Sequence, residues 1–341
     1  MASRTDFGED TTATEVASTF SDAIKGRTIL ITGVNPQGIG GATAHALASH
    51  SPARLLITGR SQEKLNEITT TLRTTFPSVI VTPITLDLSS QHSIRTAAAQ
   101  ITQTIDELDL LINNAGVMAI PTRQLSDDGF ELHLATNHIG PFLLTNLLLD
   151  KLRIAATKRP GTTRVVNVTS GAYPLSPFRM EDYNFDGRAV GKDEVGVPAL
   201  LGVFGLPTEE PVREYQPMIA YGQSKTGVIL FAKYLAERER LRGVGVGSFA
   251  VHPGEAMTEL GRHLPAEAIE MITKIVPKFK SHDQGASTTL VAALDPALKD
   301  HSGAFLMDCQ VSPTAPFASD LETAEKVWKL TESFVKEEFK L

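Results

Sequence analysis

The sequence predicts a doubly wound α/β fold, a seven-stranded and mostly parallel sheet with helices on both faces. Short β-branched runs alternate with stretches long enough for a helix, which is the pattern of consecutive βαβ units. A glycine-rich turn stands directly between the first run and the first helical stretch, where such sheets open toward ligands. With 341 residues, 42% of them apolar and 21% charged, the chain is long enough to bury a large core.

Strands are expected at 28–32, 54–58, 79–85, 108–113, 164–169, 244–251 and 304–307, each a short β-branched run bounded by turn formers. Helices are expected between them at 41–49, 61–75, 90–104, 129–158 and 220–241. The last two carry apolar residues at helical spacing and should pack on the sheet. Residues 1–25 form an extension ahead of the first strand, in which 11–24 either make a short helix on the body or stay loose, as termini often do. Residues 26–341 then make a single domain with an insertion at about 186–216, rich in Gly, Pro and mixed charge. Loops that long inside a compact domain are generally functional or disordered.

Charge and composition exclude several classes. Lys plus Arg is 32 against 39 Asp plus Glu, a net charge of -7 that repels nucleic-acid phosphates. The single cysteine, Cys309, cannot form an intrachain disulfide, so nothing calls for an oxidising compartment. The longest apolar stretch, 142–149, is interrupted by Thr145 and Asn146 and falls well short of the roughly 20 residues that cross a bilayer. The first residues lack the basic-then-apolar order of a secretory signal. A cytoplasmic protein with no membrane span and no nucleic-acid partner is the expectation. Histidines offer no His-Glu-x-x-His, and His45 with His50 or His133 with His138 diverge on a helix, so no metal is expected. No Gly-x-Ser-x-Gly elbow supports a serine hydrolase.

After the first strand the chain reads Thr32-Gly33-Val34-Asn35-Pro36-Gln37-Gly38-Ile39-Gly40-Gly41. Glycines there let the backbone turn tightly and approach a pyrophosphate, while the helix N-terminus offers unpaired N–H donors. An ordinary Gly/Pro loop is the alternative, and the placement between strand and helix favours phosphate. The second strand ends Ile57-Thr58-Gly59-Arg60, where an NAD site places an acid on the ribose 2′-OH and an NADP site tolerates the extra phosphate with an arginine. No acid stands there and Arg60 does, so NADP(H) is the expected cofactor, with Arg60 against its 2′-phosphate.

Near the start of the second long helical stretch stands Tyr221-Gly222-Gln223-Ser224-Lys225. Positions four apart share a helix face, so the Tyr221 phenol and the Lys225 ammonium can converge, and a close cation is expected to lower the phenol's pKa. Tyr221 could then serve as general acid when a carbonyl is reduced, or as base when an alcohol is oxidised. Ser170, closing the strand Val168-Thr169-Ser170, lies where such sheets bind ligands and can hydrogen-bond the reacting oxygen. Ser224 beside Lys225 reads as structural or as a secondary substrate contact. Asn137 inside the first long helix can hold a local irregularity, or be an exposed polar residue.

The ordered series of the glycine turn, Asp87-Leu88, Asn113-Asn114-Ala115-Gly116, Asn137, Ser170, Tyr221-x-x-x-Lys225 and Pro253-Gly254 resembles the short-chain dehydrogenase/reductase family over about residues 26–310. Within it, Asn137-His138-Ile139-Gly140-Pro141-Phe142 and His252-Pro253-Gly254 are similar to the retinol-dehydrogenase-like and WW-domain-oxidoreductase-like branch, fungal members in particular. The resemblance implies a Rossmann-type fold and a set of roles. Ser170 would orient the substrate oxygen, Tyr221 transfer its proton, and Lys225 tune Tyr221 while binding the nicotinamide ribose. Asn137 would support the proton relay and Asp87, with Leu88 beside it, contact the adenine region. Asn114, Ala115 and Gly116 would line the cofactor, with Thr32, Gly33, Asn35, Gln37, Gly38, Ile39 and Gly40 at its phosphates. Pro253, Gly254 and Thr258 would meet the nicotinamide end.

Two departures stand out. Four residues, Val34 to Gln37, separate the Thr-Gly pair from Gly-x-Gly where the family usually has three, so the turn must bulge. The link from Ser170 to Tyr221 is much longer than usual and includes the apolar run 200–206, which either covers a hydrophobic substrate or packs as a surface excursion against the body or a second subunit. Trp328 and the charged close 336–340 read most simply as a solvated terminal helix, with a homodimer contact as the alternative. The sequence thus points to an NADP(H)-dependent oxidoreductase, a carbonyl reductase on a medium-sized hydrophobic ketone, aldehyde or alcohol of the secondary-metabolite kind. The rivals are an epimerase or dehydratase that retains its cofactor, and a non-catalytic NADP(H)-binding regulator.

Overall fold

In the computed structural model, which describes residues 1–264, 266–276 and 278–340, strands and helices alternate from the first strand onward. Helix α1 (Ala13–Thr19) precedes β1 (Thr28–Ile31), which is followed by α2 (Ile39–Ala48), β2 (Arg54–Gly59), α3 (Gln62–Thr75), β3 (Ile80–Thr85), α4 (Gln91–Thr104) and β4 (Leu110–Asn113). The second half holds α5 (Gly140–Lys158), β5 (Arg164–Val168), α6 (Pro198–Val203), α7 (Pro217–Arg242), β6 (Gly247–His252) and α8 (His282–Leu294). It closes with β7 (Phe305–Met307), β8 (Gln310–Ser312) and α9 (Leu321–Val335).

The sheet runs β3-β2-β1-β4-β5-β6-β7-β8, parallel as far as β7. The order reverses between β1 and β4, and ligands of open α/β sheets bind at the carboxyl ends beside such a reversal. Side chains alternate across the sheet as the pleat requires. Ile29 and Ile31 join the core under α2 and α8, and Leu30 joins the core under α4, α5 and α7. With helices on both sides, β4 and β5 are buried along their whole length, and their polar members Asn113 and Asn167 are paired across the two strands, Asn113 Nδ2 donating to Asn167 Oδ1 at 2.8 Å.

The sheet has eight strands, not the seven expected from sequence. β8 pairs antiparallel with β7 through a two-residue turn, Asp308 and Cys309, both with positive φ (47° and 64°). Such hairpins are normally announced by Asn-Gly or Asp-Gly; a cysteine in the second seat removes the signal.

Other boundaries moved for local reasons. The helix expected at 129–158 is a single turn, Leu132–Leu134, then a π-helical segment, Ala135–Ile139, and only then α5. A Cβ on Gly140 would lie 2.3 Å from the Leu88 carbonyl, so the glycine permits α5 to meet the loop after β3. The strand expected from 244 begins at Gly247, because Gly243 ends α7 in the left-handed region and Gly245 also has positive φ. Of the alternatives for residues 11–24, the helix is what forms: Thr12 caps α1 by accepting from the Glu15 N–H, and Val16 and Ala17 enter the core.

Trp328 is not on a solvated helix face. It packs edge-on against Phe142 at 4.7 Å and stacks on Phe231 at 5.8 Å, with the Arg238 guanidinium over its ring. The apolar edge of α9 is therefore spent inside the chain. No described helix is long and apolar enough to cross a membrane.

Candidate active site

The turn after β1 is shaped by close backbone approaches. Gly33 has φ +69°, and a Cβ there would lie 2.6 Å from the Ala115 Cα. A Cβ on Gly40 would lie 2.6 Å from both the Gly33 carbonyl oxygen and Asn114 Nδ2, so a side chain would push α2 off the turn. The extra residue of the turn is absorbed by Asn35, whose Oδ1 accepts from the Gln37 N–H at 3.1 Å in an Asx-turn. Gly38 begins α2 with no side-chain cap, so the positive end of the helix is not neutralised by its own chain. Ile39 leans away and packs on α8 at Gly285. A narrow glycine cradle facing an uncapped helix start fits a dinucleotide pyrophosphate.

Thr32 and Asn114 lock the ends of β1 and β4 together. The Thr32 hydroxyl accepts from the Asn114 and Ala115 N–H groups at 3.1 Å each, and Asn114 Nδ2 donates to the Thr32 and Gly33 carbonyls at 2.9 and 3.1 Å. Asn114 thus braces the turn from beneath. Gly116 leaves room beside Lys225, since its Cβ position is 3.3 Å from Lys225 Nζ.

Ser170, Tyr221 and Lys225 come together at the carboxyl end of β5. Lys225 Nζ donates to the Val168 carbonyl at 2.9 Å, its own carbonyl accepts from Thr169 Oγ1 at 2.8 Å, and the amine lies 5.7 Å from the Tyr221 ring centroid. Burial pushes the lysine down to about 7. The expectation that this cation lowers the Tyr221 pKa fails here: the phenol, 1% exposed, is pushed above its ordinary value by burial, with Ser170 opposing the rise and Glu255 adding to it.

Asn137 sits in the π segment and is fully engaged. Its Oδ1 accepts from the Val117 N–H at 2.8 Å, and its Nδ2 donates to the Val117 carbonyl and to Ser224 Oγ, both at 2.9 Å. Ser224 in turn donates to the Tyr221 carbonyl at 2.7 Å, which makes it a structural link between the two helices. Below them the buried His133 accepts at Nε2 from the Ile120 N–H and donates from Nδ1 to Glu131 at 2.7 Å.

The remaining sequence-predicted residues ring this centre. Arg60 is exposed at the end of β2. Asp87 Oδ1 accepts from the Ser89 N–H and hydroxyl, while the Leu88 side chain is in the core and its carbonyl lies against Gly140. Gly254 has φ +80° after Pro253, and Thr258 caps a short turn by accepting from the Leu260 N–H at 3.2 Å.

Sequence reading left one feature open and passed over another. The insertion packs on the site: Leu201 and Phe185 are buried with Leu175, Ile219 and Ala220, while the Tyr215 hydroxyl donates to the Ile120 carbonyl at 2.8 Å. The second is Glu255, an acid directly after Pro253-Gly254, whose position inside that motif was the available signal. Among the described residues no group of three or more His, Cys, Asp or Glu could hold a metal ion.

Residues 27–184 match the short chain dehydrogenase family. The chain is 40% identical over 249 residues to the oxidoreductase fscI of Fusarium equiseti, covering 73% of this chain and 94% of that one. It is 35% identical over 310 residues to human retinol dehydrogenase 13, covering 89% of this chain and 83% of the relative. A crystal structure of an uncharacterized protein from Mycobacterium paratuberculosis superposes with a TM-score of 0.68 at 30% identity, over 93% of this chain and 96% of that one. A fold that brings a tyrosine, a lysine and a serine to the end of β5 thus has counterparts among proteins named as an oxidoreductase and as retinol dehydrogenases. The chain belongs to the short-chain dehydrogenase family, in its retinol-dehydrogenase-like branch, and is a hydride-transferring oxidoreductase that uses a nicotinamide cofactor.

Proposed function

We propose that this enzyme is an NADP(H)-dependent carbonyl reductase acting on hydrophobic ketones or aldehydes. The observation that carries the reading is the convergence of Ser170, Tyr221 and Lys225 where β5 ends, beside the glycine turn. Cofactor choice rests on Arg60, which stands exposed at the end of β2 where an NAD site would hold an acid. Gly33, Gly38 and Gly40 would admit the pyrophosphate, with Thr32, Asn35, Gln37 and Asn114 shaping the turn around it. Ala115, Gly116, Pro253, Gly254 and Thr258 would face the nicotinamide half, Asp87 and the Leu88 backbone the adenine end. When bound, the nicotinamide supplies the hydride.

The protein's part is the oxygen. Ser170 Oγ donates to the substrate carbonyl oxygen and fixes its direction. Tyr221 Oη gives up its proton to that oxygen as the alcohol forms, and burial keeps the phenol protonated near pH 7 so that the proton is there to give. Lys225, its Nζ held on the Val168 carbonyl, would bind the nicotinamide ribose beside the phenol. Asn137 holds the π segment, and through Ser224 the start of α7, so that these groups keep their places. The apolar cluster around Leu201 shields the mouth from water and supports a hydrophobic substrate.

The test is NADPH consumption over aromatic, terpenoid and steroid-like carbonyl compounds, with NADH in parallel. Faster oxidation of NADPH with at least one class is expected. No oxidation of either cofactor with any class overturns the reading.

A further inference from the structure

Glu255 has a backbone that is pinned and a carboxylate that has no Lys or Arg partner among the described residues. The Lys280 N–H donates to its carbonyl at 2.8 Å, and the next residue, Ala256, forms an isolated parallel bridge with Lys280. Gly254, at φ +80°, turns the chain so that the Glu255 side chain comes back toward the end of β5. A Cβ placed on Gly171, the residue after Ser170, would lie 3.4 Å from Glu255 Oε1.

The neighbours do not neutralise this acid. Lys280 Nζ is committed to Asp308 at 2.6 Å. His252 accepts from the Gly171 N–H at Nδ1, and its Nε2 is 3.6 Å from Glu255 Oε1, beyond hydrogen-bond reach. Burial holds this imidazole near 4, so it carries no charge at neutral pH. The carboxylate is half-exposed and close enough to Tyr221 for its charge to disfavour the phenolate. Its Oε1 thus lies beside Gly171, next in the chain to the Ser170 that would hold the substrate oxygen. Leu175 and Leu201 are buried in the apolar cluster against Ala220, the residue before Tyr221, with the partly exposed Leu200 and Phe204 packed on it. A site with a charged acceptor beside the reacting oxygen discriminates by what the substrate can donate, because a hydrogen bond to a charged group stabilises more than one between neutral groups.

Resting on the reductase reading, we propose that Glu255 is a specificity-determining residue that accepts a hydrogen bond from a hydroxyl or ammonium group adjacent to the reacting carbonyl. The preferred substrates are then α-hydroxy or α-amino ketones with an apolar remainder, and a carboxylate at the same place is rejected.

The experiment measures kcat and KM with NADPH for matched ketones, acetophenone against α-hydroxyacetophenone and α-aminoacetophenone, and cyclohexanone against 2-hydroxycyclohexanone. Wild type, Glu255→Gln and Glu255→Leu are compared, with NADPH fluorescence titration reporting that each variant retains its fold. The wild type is expected to favour the substituted ketone in kcat/KM by tenfold or more, mainly through KM. Glu255→Leu should reduce that preference at least tenfold. Glu255→Gln, which keeps an acceptor without charge, should lose more toward the amino ketone than toward the hydroxy ketone. Equal preference in wild type and Glu255→Leu, with measurable turnover, overturns the assignment of Glu255 alone. No turnover of any ketone by the wild type overturns the reductase reading and this inference with it.

Discussion

Lys225 Nζ and the Val168 carbonyl lie 2.9 Å apart, which ties the middle of the catalytic face of α7 to the last residue of β5. The amine is 3% exposed and burial holds it near 7, far below an ordinary lysine. Between about 7 and the ordinary value of 10.5 the unfolded chain keeps a proton that the native chain has released, so native stability rises with pH across that window. Below about 7 the burial penalty is present in full. Replacing Lys225 by Met should therefore stabilise the protein at pH 6 by a few kcal/mol, since each displaced pH unit is worth about 1.4 kcal/mol. At pH 10 the gain should largely vanish while activity stays low at both. Urea unfolding of both proteins at the two pH values checks it; an equal difference at each refutes the titration argument.

Tyr221→Phe removes the proton donor and leaves the ring in place. Turnover should fall by about 10²–10⁴, the usual worth of a positioned general acid. NADPH affinity should change little, because the glycine turn and Arg60 are distant in sequence and carried by other elements. Steady-state kinetics with a fluorescence titration separate the two effects, and a variant retaining a tenth of wild-type kcat would assign the proton elsewhere.

Arg60→Asp places an acid where the NADP 2′-phosphate is expected. Loss of a charge-assisted contact of about 1.5–3 kcal/mol should weaken NADPH binding by at least tenfold. NADH binding should hold or improve, since an acid in this place suits a ribose 2′-OH. Undiminished NADPH affinity would remove Arg60 from the site.

Two buried imidazoles set an acid limit. Burial holds His138 near 3 and His252 near 4, against 6.5 for the free side chain. As pH falls below 6.5 the unfolded chain takes up protons that the native chain refuses, so stability declines by about 1.4 kcal/mol per pH unit for each imidazole. Unfolding free energies at pH 7.5 and 5 should show this fall, and His138→Gln should lessen it. A flat profile over that interval would mean that the imidazoles take up protons without unfolding.

Much of the molecule was legible because it depends on local chemistry. The short apolar runs at Ile29–Ile31 and Leu110–Ile112 read as strands from their composition and spacing, and a Gly-x-Gly between strand and helix favours close backbone approach. Tyr221 and Lys225 share a face by helical spacing alone. What escaped depended on partners distant in the chain. The Asp308-Cys309 turn has no local signature, and Trp328 looks like a surface residue until Phe142 and Phe231 are brought against it. Whether Lys225 would acidify Tyr221 likewise turned on burial, which no spacing encodes. The sequence by itself determined the order of the first seven strands and the main helices between them, and which polar side chains stand at their carboxyl ends, because periodicity and turn residues act within a few positions. Only the tertiary structure decided that the insertion packs over Ala220 beside Tyr221, and that Glu255 returns to the end of β5 uncompensated, because burial and charge pairing are sums over the whole packed chain.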